Sequence, residues 1–389
     1  MRADSPPFLV VATAARGLAQ SAHKAGRRVV ALDRFGDVDA RAAAVACRAI
    51  PADAHGFDAE TLLGAAEALC PRGRCAGVVY GSGFEHRPEL LRALAAGRRL
   101  YGNSPETVQR AKDPAAFFAL LRRLRIPHPE ISFAPPADRR GWLVKQAGGA
   151  GGEHVQPAAR RAHADRPVYY QRACAGRGVS LLFLADGARC RIIGCSETWT
   201  CTDDAQAPYR YGGAVSDAEL PAPVRERLYA AARMLTAALG LRGLNGLDAL
   251  VRDDAFVVLE INPRPGATFE LYEPKYAENF FELHLRASSG ELPALTPVSP
   301  LAHAHAVVYA PRALVIDAGI EWPEGCSDLP LPGSTVAAAA PLCMVHAAGR
   351  TAAEARRLVL ERRARVQTLF TAPSRGRAPR RASGGGGAR

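Results

Sequence analysis

Three short β-branched runs, FLVVA (8–12), RVVALD (28–33) and AGVVY (76–80), punctuate the first hundred residues, with Ala- and Leu-rich stretches between them. This alternation is the pattern of a parallel sheet whose crossovers are helices, so the chain opens with a βαβ domain. The first turn, ATAARG, lacks the G-x-G-x-x-G spacing that a dinucleotide pyrophosphate requires, and NAD or FAD binding is unsupported. The turn after the third run, GSGFEH (81–86), is glycine-rich at the carboxyl end of a strand, where open α/β sheets present ligand contacts. Glu85 is therefore a substrate-side candidate, with a helix-start role as the alternative.

The text changes at 112. KDPAAFFALLRRLRIPHPE (112–130) reads as an amphipathic helix that starts near Lys112, with Asp113 at its N-cap, Pro114 in its first turn, and a stop at Pro127 and Pro129. Strands follow at WLVKQ (142–146), VYYQRAC (168–174), VSLLFLAD (179–186) and RCRIIGCSETW (189–199), with a long helix over 223–239. LDALV and FVVLEIN flank a turn at Asp253–Asp254. After 296, two strand-like segments and the helix TAAEARRLVLERRARVQTLF read as a small sheet-plus-helix unit. The expected domains are 1–108, 109–295 and 296–371, with a basic tail at 372–389.

With 389 residues and 48% hydrophobic content, the chain can bury the cores of two or three domains. The N-terminal apolar run is too short for a membrane span and too early for a signal peptide, which predicts a cytoplasmic protein. Nine cysteines, an odd number without a Cys-x-x-Cys pair, read as reduced thiols. The net charge is +12, but residues 372–389 hold five arginines and no acid. With no aromatic residues interleaved, that tail reads as disordered and solvated, not as a nucleic-acid contact. The remaining positive excess fits an enzyme handling anions and equally an Arg-rich composition of no functional meaning.

GGAGGE (148–153) follows the strand that carries Lys145, and a glycine run frees backbone N–H groups to wrap phosphate oxygens. It is not a P-loop, because the G-x-x-x-x-G-K-[ST] order is missing. In LEINPRP, Glu260 and Asn262 stand at i and i+2 of a strand, so both project to one side, while Leu259 and Ile261 face the apolar side. Such oxygen ligands suit Mg²⁺, which is held by one or two carboxylates together with nucleotide phosphates. Asp248 on the neighbouring strand joins them if the hairpin loop places Arg252 opposite Phe256; a tight two-residue turn would send Asp248 to the wrong face. The longer loop is the expectation. Pro263 and Pro265 end the strand and fix the path of Arg264. His303 and His305 share a strand face but lack a third zinc ligand nearby in sequence. No Ser–His–Asp or Cys–His nucleophile is visible.

Taken in order, Lys112, Lys145, the glycine loop, VYYQRAC, Asp248 and Glu-x-Asn-x-Arg resemble the ATP-grasp superfamily of carboxylate–amine and carboxylate–thiol ligases. The resemblance implies an α/β and α+β protein: an N-terminal parallel α/β (pre-ATP-grasp) domain, a two-subdomain ATP-grasp fold, and a small C-terminal α+β subdomain. It implies ATP and Mg²⁺ (or Mn²⁺) as cofactors. By position, Lys112 and Lys145 would contact the phosphates, and Gly148, Gly149, Gly151 and Gly152 would cover them. Gln171 and the backbone near Cys174 would meet the adenine, and Asp248, Glu260 and Asn262 would hold the metal. Arg264, with Lys145, would steady the transferring phosphoryl group. Glu85, Glu270 and Tyr272 are the substrate-side candidates. The partners implied are a small carboxylate and an amine, with no nucleic acid and no membrane, and the superfamily's common dimers suggest a homodimer. VVYGSGFEHRPELL, RLYGNSPETVQRAKDP and EINPRPGATFELYE resemble a narrower branch tied to the tetrahydromethanopterin and methylofuran one-carbon pathways of methylotrophs. There the implied reaction is ligation of an amino acid such as glutamate to an amine. Carboxylase-like or purine-pathway chemistry, and a non-catalytic ATP-binding scaffold, are the alternatives.

Overall fold

The computed structural model describes residues 5–53, 56–160, 167–201 and 203–371. The basic tail expected to be disordered, 372–389, lies outside the described residues.

The N-terminal sheet is parallel throughout, in the order Ala46–Ala49, Val29–Asp33, Phe8–Val11, Gly77–Tyr80, Leu100–Tyr101. Its central strand is buried on both faces, which is why it reads as an unbroken apolar run. Phe8 and Val10 pack with Leu18 and Ala22 of the helix Arg16–Lys24. Leu9 and Val11 pack on the other side with Leu62 and Leu91 of the helices Ala59–Leu69 and Pro88–Ala95. The loops at the carboxyl ends of these strands, including 81–87, thereby gather along one edge of the sheet.

A four-stranded antiparallel sheet follows, ordered Val155–Pro157, Trp142–Gln146, Val168–Arg172, Ile131–Ser132. Tyr169 stands opposite Lys145 and Gln171 opposite Leu143, so Lys145 and Gln171 share a face. Val144 and Tyr170 form a separate apolar cluster with Trp142 and Val168.

The third sheet has eight strands, in the order Ala255–Asn262, Arg242–Arg252, Arg177–Asp186, Cys190–Thr200, Tyr211–Val215, Ala302–Tyr309, Pro341–Gly349, Cys326–Ser327. It runs straight through residue 296, because Tyr211–Val215 pairs with Ala302–Tyr309. Gly213 permits that approach; a Cβ there would strike the His305 carbonyl. The helix Ala352–Thr371 covers this part of the sheet with Ala355, Val359, Val366 and Phe370. The helix Ala222–Leu239 packs Leu228 and Leu235 in one core with Phe117 and Phe118 of the helix Pro114–Arg123. Each such fully buried side chain contributes ~2 kcal/mol.

Candidate active site

The Arg242–Arg252 and Ala255–Asn262 strands turn tightly at Asp253–Asp254, with Asp253 at φ 51° and Arg252 opposite Ala255. The longer loop expected from strand parity does not form. A bulge corrects the parity instead: Ala249 pairs with Val258 and Asp248 pairs with Glu260, leaving Leu259 as the extra residue. The Val258 N–H donates to the Pro127 carbonyl at 2.8 Å, which ties the bulged strand to the segment entering the four-stranded sheet. Phe256, Val258 and Ile261 all lie in the core. Leu259 instead lines the site cavity beside Glu260, where the plain alternation had placed it on the apolar side.

Asp248 and Asn262 are joined, the Asn262 Nδ2 donating to Asp248 Oδ2 at 2.8 Å. The Asn262 Oδ1 accepts from Lys112 Nζ at 2.7 Å, and the same ammonium lies 3.0 Å from Glu260 Oε2. Lys112 is the last residue of the helix Pro105–Lys112, not near the start of the next; Asp113 separates the two helices and caps the second through Ala115 N and Ala116 N. Burial and the neighbouring Glu260 raise the Asp248 carboxyl above its usual range. Burial acts the same way on Glu260, but Lys112, Lys145 and His154 outweigh it and hold that carboxyl low. One carboxylate is thus held ionised, and the other ionises less readily than a free aspartate.

Arg264 is fixed from the N-terminal domain. Tyr80 Oη and Asn103 Nδ2 both donate to the Pro263 carbonyl, at 3.2 and 2.9 Å. The Arg264 Nε then donates to Glu85 Oε1 at 2.8 Å, while Glu85 Oε2 accepts from Gly83 N at 2.7 Å. Burial opposes the Glu85 charge, yet Arg264 and Lys112 keep its carboxyl below the usual range. Glu85 acts as the arginine's anchor here, rather than as a free substrate contact.

Lys145 is buried, its Nζ 3.4 Å from Gln171 Oε1 and 5.7 Å from the Tyr169 ring centre. Burial lowers its pKa, and Glu260 and Asp248 partly restore it. The glycine loop closes the site. Gly148 lies against His86 of the N-terminal domain, Gly149 on the His154 ring and Gly152 under the Tyr209 carbonyl, and in each case a Cβ would collide. Gly151 accepts from Tyr211 N at 2.9 Å. Beneath the loop a cavity of about 30 Å³ is lined by Phe117, Phe118, Tyr169, His154, Leu259 and Glu260. It has room for about one water. His154, pushed down to about 4 by burial and then by Lys145, was not among the sequence candidates. Its place just past the glycines was the available signal. A larger cavity, about 730 Å³, lies against the helix Ala352–Thr371, but its Arg177 and Arg356 are already paired with Glu197.

The other two substrate-side candidates are held by other partners. Glu270 is bound by Arg16, which also bridges to Asp328 at 2.7 Å. Tyr272 is a core residue, 1% exposed, with its hydroxyl at 3.2 Å from Ser196 Oγ. Phe269, Leu271 and Tyr272 of the helix Phe269–Tyr272 pack together into one apolar core. Cys174 sits half-buried beyond the end of its strand, its thiol 3.6 Å from the Arg172 carbonyl. His305 is fully buried and meets Tyr211 Oη at 2.6 Å. Among the described residues, no group of three or more His, Cys, Asp or Glu is placed to hold a metal unaided.

Residues 111–268, the span from just before Lys112 to just past Arg264, match the family described as the ATP-grasp domain. Over that span the chain is similar to an ATP-grasp domain. A stretch of 66 residues is 46% identical to the formate-dependent phosphoribosylglycinamide formyltransferase of Methylococcus capsulatus, covering 17% of this chain and 16% of that protein. The match to this curated relative therefore covers a minor part of its length. Among solved structures, the biotin carboxylase of Campylobacter jejuni, in complex with β,γ-ATP, superposes with a TM-score of 0.71 at 13% identity. That match covers 94% of this chain and 95% of the other. The L-amino acid ligase of Bacillus licheniformis does so at 0.68 and 12% identity, covering 92% and 97%. At such identities the likeness is one of fold. The ATP-grasp fold, with its parallel N-terminal sheet and two antiparallel sheets facing the glycine loop, is the architecture of this chain.

Proposed function

We propose that the chain is an ATP- and Mg²⁺-dependent ligase that activates a small carboxylate as an acyl-phosphate for attack by an amine. The observation that carries this reading is the cluster of Asp248, Glu260 and Asn262, which already grips a cation, the Lys112 ammonium, between two of its oxygens. Two carboxylates and an amide oxygen fit Mg²⁺, whose remaining ligands would be nucleotide phosphates and water. When bound, the ion would neutralise charge on the phosphates during transfer. Lys145 would place its buried ammonium against the phosphates. Arg264, braced by Glu85, would hold the carboxylate oxygen in line and stabilise charge on the group being moved. Closure of the glycine loop would exclude water, which otherwise hydrolyses the acyl-phosphate. Because the cavity under the closed loop admits about one water, nucleotide entry requires the loop to lift away from His86 and Tyr209.

Gln171, Cys174, Gly148, Gly149, Gly151 and Gly152 complete the proposed nucleotide site. Glutamate with an amine such as tyramine is the first substrate pair to test, on the narrower likeness to one-carbon cofactor enzymes. A homodimer and a cytoplasmic location belong to the same reading; among the described residues no helix is long and apolar enough to cross a membrane.

The deciding experiment is ADP release from MgATP across a panel of amino acids, bicarbonate and purine precursors, each with and without amines. Stimulation by one carboxylate–amine pair supports the ligase. Stimulation by bicarbonate alone would shift the reading to a carboxylase, and nucleotide binding without any stimulation would leave a scaffold.

A further inference from the structure

We propose that Lys112 is a built-in placeholder for the metal, a side chain that occupies the ion's ligands until nucleotide phosphates draw it off. The proposal rests on the reading of Asp248, Glu260 and Asn262 as magnesium ligands.

Four observations carry it. The Lys112 ammonium contacts two of the three proposed ligands at once, 3.0 Å from Glu260 Oε2 and 2.7 Å from Asn262 Oδ1. Its side chain is only 5% exposed, so it is packed into this position and does not brush past it. Asp248 holds the Asn262 amide by its nitrogen, which turns the oxygen toward the cation. Asp248 and Glu260 stand directly opposite each other, and without an intervening positive charge two carboxylates so placed repel.

A divalent ion and an ammonium cannot share these oxygens, since like charges at that separation repel strongly. Metal binding to the nucleotide-free protein therefore has to move Lys112 off both oxygens that it holds, and Glu85, a further carboxylate near it, is already paired with Arg264. A nucleotide removes that obstacle, because its phosphates are a better partner for the lysine than the carboxylate and amide it leaves. Metal and nucleotide then bind with positive coupling, each favouring the other by the same factor. Lys112 would carry that coupling and would also protect the carboxylate pair while the site waits.

The test is direct binding of Mn²⁺ to the full chain, followed by the electron paramagnetic resonance signal of the free ion, with and without ADP. Lys112→Met is expected to bind Mn²⁺ at least tenfold more tightly than the wild type in the absence of ADP, and to lose most of the tightening that ADP confers on the wild type. Unchanged or weaker Mn²⁺ binding by folded Lys112→Met without ADP overturns the proposal. If that variant does not fold, Lys112→Gln is measured in the same way. A wild-type chain that binds Mn²⁺ equally with and without ADP also overturns it. Glu260→Gln in the presence of ADP separates the two readings. Loss of Mn²⁺ binding there, with no gain in Lys112→Met, removes only the placeholder, whereas no effect of Glu260→Gln removes the metal site itself.

Discussion

Asp248 and Glu260 face each other across an antiparallel strand pair because one extra residue, Leu259, interrupts the register between them and the turn. The bulge is thus what assembles the carboxylate pair. Deleting Leu259 removes only the extra residue and leaves Glu260 opposite Asp248, so ADP release should persist. Glu260→Gln, which keeps the shape, should lower it about 100-fold with the fold intact, the scale of losing one charge-stabilising group. Full ADP release by Glu260→Gln would exclude the metal assignment.

The Glu85–Arg264 pair joins the N-terminal domain to the end of the strand Ala255–Asn262, at 4% and 11% side-chain exposure. Glu85→Ala leaves the guanidinium without its counter-charge and should cost ~3–5 kcal/mol in urea unfolding. Arg264→Lys should lower kcat more than it raises KM, since a lysine cannot hold both Glu85 and an oxygen of the reacting group in a fixed plane. A KM effect alone would place Arg264 in binding, not in the chemical step.

Gly151 and Gly152 both have φ in the left-handed region, 70° and 81°, but only Gly152 is in close contact, beneath the Tyr209 carbonyl. Gly151→Ala should cost ~1–2 kcal/mol of local strain and little more. Gly152→Ala should keep the loop from docking and speed its limited proteolysis at least tenfold. Equal rates for the two variants would mean that the contact with Tyr209 does not hold the loop.

Tyr272→Phe tests the core placement of a residue that sequence order put near the substrate. Loss of the hydroxyl that meets Ser196 should cost ~1–2 kcal/mol of stability and leave KM unchanged. A KM change above threefold would return Tyr272 to the substrate side.

His284 and His305 are buried in their neutral forms, and burial pushes their pKa values down to about 4 and about 3. The folded state therefore binds these protons less readily than the unfolded chain. Their contribution is whole above the unfolded value near 6.5 and is lost as pH falls below it, levelling off near the folded values. Urea unfolding should show stability falling by about 1.4 kcal/mol per pH unit for each histidine between pH 6 and 4. His284→Gln should make that slope shallower by one proton's worth, and an unchanged slope would remove His284 from the account.

Much of the site was legible as one-dimensional spacing. The i and i+2 positions of Glu260 and Asn262, the prolines about Arg264, the glycines after Lys145 and the Asp113–Pro114 cap each follow from local rules of strand alternation, φ restriction and capping. Asp248 stands opposite Glu260 by a route that was not legible: the turn was shorter than parity required, and a bulge made up the difference. Bulges depend on what lies beside a strand, here the Pro127 carbonyl that takes the Val258 N–H, and no residue within the strand announces it.

The sequence by itself determined the element types, the parallel N-terminal sheet and the polar side of the strand that carries Glu260 and Asn262, because these depend on residues a few positions apart. Only the tertiary structure decided which charges meet. Glu85 with Arg264, Arg16 with Glu270, Lys112 between Glu260 and Asn262, and the joining of Ala302–Tyr309 to Tyr211–Val215 all link positions 89 to 254 residues apart. Such partners are chosen by the closure of the whole chain around its cores, where a buried charge must find whichever counter-charge packing brings within reach.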